Sequence, residues 1–238
     1  MSQYSIRIFK NIQSIETLCA NFRNNLQKTI ITSEKVPLTI YNFFGARNTT
    51  HTKIKNIRLE ELWSEKYKYV GYKTLPFIET NKISLFSRAY IFEILEIFKL
   101  YHIPVDPYRV KLRMSKSPWN YTAHFDCTNQ YIVELSGHRH FLLWYENISL
   151  LQLEEIRPLN LHKTQKYLEH IHIKTEYVIL REGEVMYLPR FVWHKTEIVE
   201  RGIGALFNFI ALTPDMHDEE TSSLCTDIFR CYWKEQSN

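Results

Sequence analysis

The chain has 238 residues, with 30 basic and 26 acidic side chains and a formal net charge of +4. This length predicts one domain with a sizeable core, or two small domains. Hydrophobic residues make up 45% of the chain and charged residues 24%, as in ordinary globular proteins. The lysines and arginines are spread along the whole chain. This disfavours a dedicated nucleic-acid-binding protein, because such proteins concentrate their basic residues in one stripe.

The four cysteines include no CxxC pair, so a structural zinc site built from cysteines is not expected. The N-terminal residues lack the apolar run of a signal peptide, and no stretch reaches the length of a membrane span. We therefore expect an intracellular protein, cytoplasmic or nuclear, with free thiols and no membrane association.

The first 107 residues combine predicted helices with predicted strands. Apolar residues recur at helical spacing from Ile15 to Leu26, and a second apolar helical pattern precedes Pro104. Helices are predicted at residues 14–28, 57–66 and 86–101, and strands at residues 6–9 and 37–43. We expect residues 1–107 to form a mixed α/β elaboration that packs on the core.

From residue 108 the apolar pattern changes to a period of two, with turns at Gly137, Gly183 and Gly202. Strands are predicted at residues 108–114, 122–126, 130–135, 139–145, 177–180, 184–188, 193–199 and 203–212. About eight short strands in succession predict a mainly β fold with flanking helices, in which residues 108–214 form a closed or double-sheet β structure such as a jelly roll. Residues 215–238 are predicted to hold a C-terminal helix. Its apolar face either packs on the barrel or joins two chains in a homodimer.

A candidate metal site comes from His124 and Asp126, which lie two residues apart on a predicted strand and so share a face. His194, on a neighbouring predicted strand, is the candidate third ligand. Two histidines and one carboxylate on one side of a metal form a facial triad. This arrangement suits Fe(II) and leaves positions open for substrate and O2. An HxD pair alone is also common as a plain polar pair on a strand, so the surrounding residues decide its meaning.

The surrounding residues resemble those of JmjC-type, cupin-like 2-oxoglutarate oxygenases. The segment YTAHFDC carries the HxD pair, and GEVMYLPRFVWH, which ends at His194, carries the later pattern G-D/E-x-x-aromatic-I/L-P-x-x-x-W/F-H. The resemblance covers residues 108–214 and implies that they form a double-stranded β-helix core, the cupin-like jelly roll. It implies that His124, Asp126 and His194 bind Fe(II), and that 2-oxoglutarate and O2 are co-substrates.

The resemblance also implies a co-substrate site. Relatives carry a basic residue, usually lysine, fifteen positions after the first ligand histidine, where it pairs with the distal carboxylate of 2-oxoglutarate. That position is Arg139 here, and arginine can also bind a carboxylate. The family's Asn and Gln, six and ten positions after the histidine, are replaced by Gln130 and Glu134. The other expected co-substrate contacts are Thr122, Tyr121 and Asn208.

The activity implied by the resemblance is hydroxylation of a C–H bond in a macromolecule. A protein side chain is slightly preferred over a tRNA base, although GIGALFNFIALTP and YKTLPF resemble the tRNA wybutosine hydroxylase group. A metal-binding cupin-like protein without oxygenase activity is an alternative, because Arg139 and Gln130 depart from the usual residues. A nucleic-acid-binding structural protein is a third. His170 and His172 are interpreted as exposed strand histidines rather than as a second metal site.

Overall fold

A computed structural model describes residues 5–32, 35–44, 48–58, 77–80, 85–116, 119–120, 123–198 and 203–212. Side chains are described within residues 5–24, 89–107, 123–198 and 204–212, and at residue 110. Tyr121, Thr122 and the predicted C-terminal helix, with the homodimer contact suggested for it, lie outside the described residues.

The described part of the chain contains twelve strands and four helices. The helices are α1 (Gln13–Thr32), α2 (Leu85–Leu100), α3 (Leu150–Ile156) and α4 (Leu161–His170). The strands are β1 (Arg7–Phe9), β2 (Lys35–Phe44), β3 (Asn48–Arg58), β4 (Phe77–Thr80), β5 (Val105–Lys116), β6 (Trp119–Asn120), β7 (Gln130–Ser136), β8 (His138–Trp144), β9 (Glu176–Arg181), β10 (Val185–Leu188), β11 (Trp193–Ile198) and β12 (Ile203–Ala211).

The strands form two antiparallel sheets. The large sheet has the order β1-β10-β7-β12-β5-β4-β2-β3, and the small sheet has the order β6-β11-β8-β9. Strands from the first 80 residues complete the large sheet, with β1 against β10 at one edge and β4 against β5 further along. The prediction of a mainly β fold with flanking helices is confirmed.

The core has three apolar layers. Several strands are buried on both faces, so successive side chains along such a strand enter two different layers. The inner layer lies between the sheets and draws on both, for example through Ile132 of β7 and Phe141 of β8. On the outer face of the large sheet, Val133 and Leu135 pack in one cluster with residues of α1 and α2. On the outer face of the small sheet, Leu142 and Trp144 pack with residues of α3 and α4. The inner layer is the one that adjoins the candidate metal site.

Several predicted elements differ from the observed ones. The helix predicted to begin at residue 57 is wrong at its start, because Ile57 and Arg58 end β3, and residues 59–66 lie outside the described residues. Within the segment predicted as a strand at 122–126, the described residues form only an isolated bridge from His124 to His194.

The two helices after β8 were not predicted. Ser149 caps α3 in a capping box with Gln152, and the side chain of Asn160 caps α4. Helix α4 ends at His170, and His172 lies in the following turn with φ of 63°. His170 and His172 are exposed, as predicted, but their predicted placement on a strand is wrong.

Two further expectations concern cysteines and membranes. Cys19 is a buried free thiol, whereas Cys127 is disulfide-bonded, so the expectation of free thiols throughout is wrong at Cys127. None of the described helices combines the length and the hydrophobicity needed to cross a bilayer.

Candidate metal centre

The centre is built on a reciprocal pair of main-chain hydrogen bonds. The His124 N–H donates to the His194 carbonyl at 3.0 Å, and the His194 N–H donates to the His124 carbonyl at 2.7 Å. Residues paired in this way in an antiparallel ladder carry their side chains on the same face. The two imidazole rings accordingly lie side by side, with centroids 4.2 Å apart.

Asp126 is fixed by a third main-chain contact, in which its carbonyl accepts from the Phe191 N–H at 2.8 Å. The segment from Phe191 to His194 therefore contains one residue more than the segment from His124 to Asp126 that it faces, as in a β-bulge. Phe191 absorbs the extra residue by adopting φ of 63°. This left-handed conformation costs an L residue about 1–2 kcal/mol, and such strain persists only where neighbouring contacts hold it.

The surroundings of the Phe191 turn supply those contacts. The Arg190 N–H donates to the Asn129 side-chain oxygen at 2.9 Å, so Asn129 braces the turn. The rings of Phe191 and Phe125 lie 6.1 Å apart, and Trp193 meets Phe125 edge-on at 4.8 Å. The segment that presents His194 is therefore held on both sides.

The three ligand candidates converge on one point. The atoms that His124, Asp126 and His194 offer to a metal all lie within 4.8 Å of one another, and His194 Nε2 is 3.6 Å from Asp126 Oδ2. His194 is buried, whereas His124 and Asp126 are partly exposed, so the cluster opens to solvent on their side. Among the residues whose side chains are described, no second group of three such ligands lies this close together.

The protonation of His194 suits a metal ligand. Its Nδ1 lies 3.0 Å from the Val192 carbonyl, which can only accept a hydrogen bond. Nδ1 therefore donates to this carbonyl, which leaves Nε2, on the side of Asp126, as the nitrogen that can bind a metal. A carbonyl that fixes the histidine tautomer is typical of metal-binding histidines. The donor set and its orientation fit a divalent metal.

Lys195, next to His194, points away from the cluster and anchors β11 to α3. Its ammonium group is buried and donates to the carbonyls of Ile156 at 2.8 Å and Arg157 at 3.1 Å. These carbonyls belong to the C-terminal end of α3, where a cation is favoured. Burial lowers the pKa of Lys195 to about 8.

The predicted co-substrate residues lie at two levels of the inner layer. Gln130 lies at the metal end, where it pairs with Leu188, and Asn208 lies near that end. The Asn208 amide donates a hydrogen bond to the Gln130 side-chain oxygen. Arg139 lies at the far end. On β8 it is four residues from Leu143, the partner of His194, a distance of about 13 Å along the strand. Apolar side chains, including Phe141 and Ile132, occupy the level between them.

Arg139 points into the barrel, as the parity of β8 requires, and meets Glu134 there. Its Nε donates to Glu134 Oε2 at 3.1 Å, with side-chain exposures of 3% and 0%. Among the described residues, the second oxygen of Glu134 has no hydrogen-bond donor. Burial raises the pKa of Glu134 to about 7, although Arg139 opposes the shift. The Arg139 guanidinium is therefore already in contact with the Glu134 carboxylate when no co-substrate is bound.

The far end of the barrel is closed by packing between the two sheets. A Cβ placed on Gly204 of β12 would lie 2.6 Å from Ile198 Cδ1 of β11. Ile198 is the strand partner of Arg139. The Glu134–Arg139 pair is therefore sealed from solvent at the end away from the metal ligands.

Comparison with protein families identifies the family to which this chain belongs. Residues 83–214, more than half of the chain, match the model of the JmjC domain. The chain belongs to the JmjC domain family. JmjC domains have a jelly-roll, cupin-like fold, which the two facing sheets display, and the family consists in general of Fe(II)- and 2-oxoglutarate-dependent oxygenases. A search of curated proteins finds no match.

In this JmjC domain the pairing of Glu134 with Arg139 was not among the predictions from the sequence. A signal was present, because both residues have inward parity on adjacent strands and a buried cation calls for a counter-charge. No comparable signal in the sequence indicated the roles of Phe191 and Lys195. The role of Phe191 depends on the irregular turn before His194, and that of Lys195 depends on its contact with α3.

Proposed function

We propose that this JmjC domain is an Fe(II)- and 2-oxoglutarate-dependent oxygenase that hydroxylates a C–H bond of a macromolecule. The observation that carries the proposal is the His124–Asp126–His194 cluster, with His194 Nε2 directed at Asp126 by the Val192 carbonyl. A set of two histidines and one carboxylate suits non-heme Fe(II) and leaves coordination positions open.

The chemistry divides between the metal and the chain. Fe(II) bound there would let O2 act as the oxidant, with one oxygen atom going into the C–H bond to give an alcohol and the other into succinate as 2-oxoglutarate loses CO2. The chain's residues hold and orient these groups. Because His124 and Asp126 are partly exposed and the opposite end is closed by Ile198 and Gly204, the reacting bond approaches from the Asp126 side.

A protein side chain is the preferred substrate, ahead of a tRNA base. The segment that resembles the tRNA hydroxylases, GIGALFNFIALTP, is largely β12, and its residues Ala205, Phe207 and Phe209 are buried in the core. Similarity in such packing residues carries little information about a bound nucleic acid. The modest net charge of +4 gives tRNA no particular support either.

The second candidate, a cupin-like metal protein without oxygenase activity, is favoured by one observation. Glu134 already neutralises Arg139, the residue expected to receive the distal carboxylate of 2-oxoglutarate. In that case the cluster would bind metal but not the co-substrate.

Formation of succinate from 2-oxoglutarate in the presence of Fe(II), ascorbate and O2 tests the proposal. We expect turnover by the wild type, its loss in His124→Ala and Asp126→Ala, and wild-type turnover in the control His162→Ala, since His162 is exposed on α4. Wild-type succinate formation by either ligand variant would rule out the assigned centre. Gain of one oxygen atom in peptides rather than in tRNA nucleosides, measured by mass spectrometry, would support the substrate preference, and the reverse result would overturn it.

A further inference from the structure

The starting point is how Asp126 is held relative to the two histidines of the cluster. His124 and His194 bond to each other through two main-chain hydrogen bonds, which place their side chains on one face. Asp126 is tied to the segment that presents His194 through the Phe191 N–H, which donates to the Asp126 carbonyl at 2.8 Å. Because Phe191 has φ of 63°, this contact depends on a strained turn. The conformation of the turn therefore sets the position of Asp126 relative to His194.

Asn129 holds the residue before Phe191 in the same turn. Its side-chain oxygen accepts a hydrogen bond from the Arg190 N–H at 2.9 Å. The consecutive N–H groups of Arg190 and Phe191 therefore donate to one short segment, to the Asn129 side chain and the Asp126 carbonyl respectively. Asn129 follows Asp126 by three residues, so the two hydrogen bonds close a ring through the main chain. This ring of Asp126, Asn129, Arg190 and Phe191 is the turn clamp.

The large sheet fixes the position of Asn129. The Asn129 main-chain carbonyl accepts from the Ala211 N–H at 2.9 Å, at the end of β12. The next residue, Gln130, begins β7 and is buried. Gln130 lies opposite Leu188 of β10 and Ile210 of β12. The side chain that holds the turn therefore projects from a rigid position, which a precise site requires.

The other contacts of the turn are less directional than the hydrogen bond to Asn129. The Phe191 ring lies 6.1 Å from the Phe125 ring, and the Arg190 guanidinium lies over the Phe191 ring, 5.5 Å from its centroid. Such ring contacts tolerate small shifts, whereas a hydrogen bond weakens steeply when its angle departs from linearity. Loss of the acceptor at Asn129 therefore leaves the turn packed but frees the peptide group that ends at the Arg190 nitrogen.

We propose that Asn129 is a positioning residue of the metal centre, whose side-chain oxygen sets the separation of Asp126 and His194 and thereby the affinity for a divalent metal. Two atoms that bind one metal at about 2.1 Å and at right angles lie about 3 Å apart. The His194 Nε2 to Asp126 Oδ2 distance of 3.6 Å is close to this value, so the clamp keeps the ligands nearly in place for a metal. The proposal rests on the proposed function in one respect, the assignment of these residues as metal ligands.

The test is titration of the full chain with Mn(II) alone, with the free ion measured by electron paramagnetic resonance. Asn129→Leu has nearly the same size as the wild-type residue but no acceptor, and its Kd for Mn(II) should be at least about tenfold weaker, as for other residues that orient metal ligands. Asn129→Ala, which removes the acceptor without adding an apolar side chain, should show the same loss. Asn129→Asp keeps an acceptor oxygen and should restore an affinity at least equal to that of the wild type.

Asn160→Leu is the matched control. The Asn160 side-chain oxygen also accepts one main-chain N–H at 2.9 Å, from Lys163 at the start of α4, on the outer face of the small sheet. Urea denaturation of the metal-free proteins should show comparable losses of stability in Asn129→Leu and Asn160→Leu, because each variant loses one such hydrogen bond. The Mn(II) Kd of Asn160→Leu should nevertheless equal that of the wild type.

A second measurement reports the geometry of the site rather than its affinity. At saturating Co(II), the visible absorption of Asn129→Leu should differ from that of the wild type in band position or intensity, because the ligand field depends on the ligand arrangement. The spectra of Asn129→Asp and Asn160→Leu should match the wild-type spectrum. A residue that contributes only to stability would leave all four spectra alike.

The outcomes separate the two proposals. Wild-type Mn(II) affinity in Asn129→Leu and Asn129→Ala would overturn the clamp and leave the proposed function standing. Equal weakening in Asn160→Leu, or no recovery in Asn129→Asp, would also overturn the clamp, since the effect would then not come from the acceptor at Asn129. Mn(II) binding by the wild type that is no tighter than binding by His124→Ala would overturn the metal centre and the proposed function together.

Discussion

Replacing Glu134 by Gln should change how the stability of the fold depends on pH. In the folded chain, burial raises the pKa of Glu134 from 4.5 to about 7. Between these values the folded state holds the proton that the unfolded state has released, so the free energy of unfolding falls as pH rises through this window. At about 1.4 kcal/mol per pKa unit, the full effect is about 3 kcal/mol.

Urea denaturation of the metal-free protein between pH 5 and pH 8 measures this effect. The free energy of unfolding of the wild type minus that of Glu134→Gln should fall by about 2 to 3 kcal/mol over this range. The loss of the partner of Arg139 in the variant adds an offset that does not vary with pH. The control Glu93→Gln, at an exposed position on α2, should give a flat difference. A flat difference for Glu134→Gln as well would refute the reasoning that Glu134 titrates inside the barrel.

Three further substitutions test the packing around the site, each read by urea denaturation. Gly204→Val should destabilise the fold by about 1–3 kcal/mol through the clash with Ile198 Cδ1, and Ile198→Ala should restore much of this loss; purely additive losses would contradict the contact. At the positive φ of Phe191, Phe191→Gly should be about 1 kcal/mol more stable than Phe191→Ala, and equal stability would argue against the strained turn. Lys195→Met removes the donor to two carbonyls of α3 and should cost about 2 kcal/mol, whereas unchanged stability would show that these hydrogen bonds add nothing.

The β core could be predicted from the sequence because its strands obey a simple period. Apolar residues at every second position marked β7, β8 and β12 to within one or two residues of their ends. The helix pattern from Ile15 to Leu26 predicted α1 for the same reason, although α1 continues to Thr32. In these elements one periodic face is buried, so the sequence alone carries the signal.

The elements that escaped prediction depend on local hydrogen bonds rather than on periodicity. Helices α3 and α4 are short, and their caps at Ser149 and Asn160 were the available signals. Strand β3 contains few apolar residues (NTTHTKIKNIR), so it lacks the alternation that marks a half-buried strand.

The candidate site divides in the same way. The HxD pair and the later GE…YLP…WH pattern located His124, Asp126 and His194, which the structure brings together. A continuous strand, as predicted, is not what brings these side chains together. His124 lies in an isolated bridge, and the bulge at Phe191 sets the spacing between Asp126 and His194. Arg139 was found by its position in the resemblance, but its pairing with Glu134 is a tertiary contact that a motif does not encode.

We propose that the His124–Asp126–His194 cluster holds Fe(II) together with 2-oxoglutarate. Anaerobic absorption spectroscopy at pH 6, where Glu134 is largely protonated, tests it most directly. We expect a weak visible charge-transfer band that requires both Fe(II) and 2-oxoglutarate, saturates at about one Fe(II) per chain, and is absent in folded Asp126→Ala. Stoichiometric Fe(II) binding by the wild type without this band at saturating 2-oxoglutarate, or an undiminished band in Asp126→Ala, would contradict the claim.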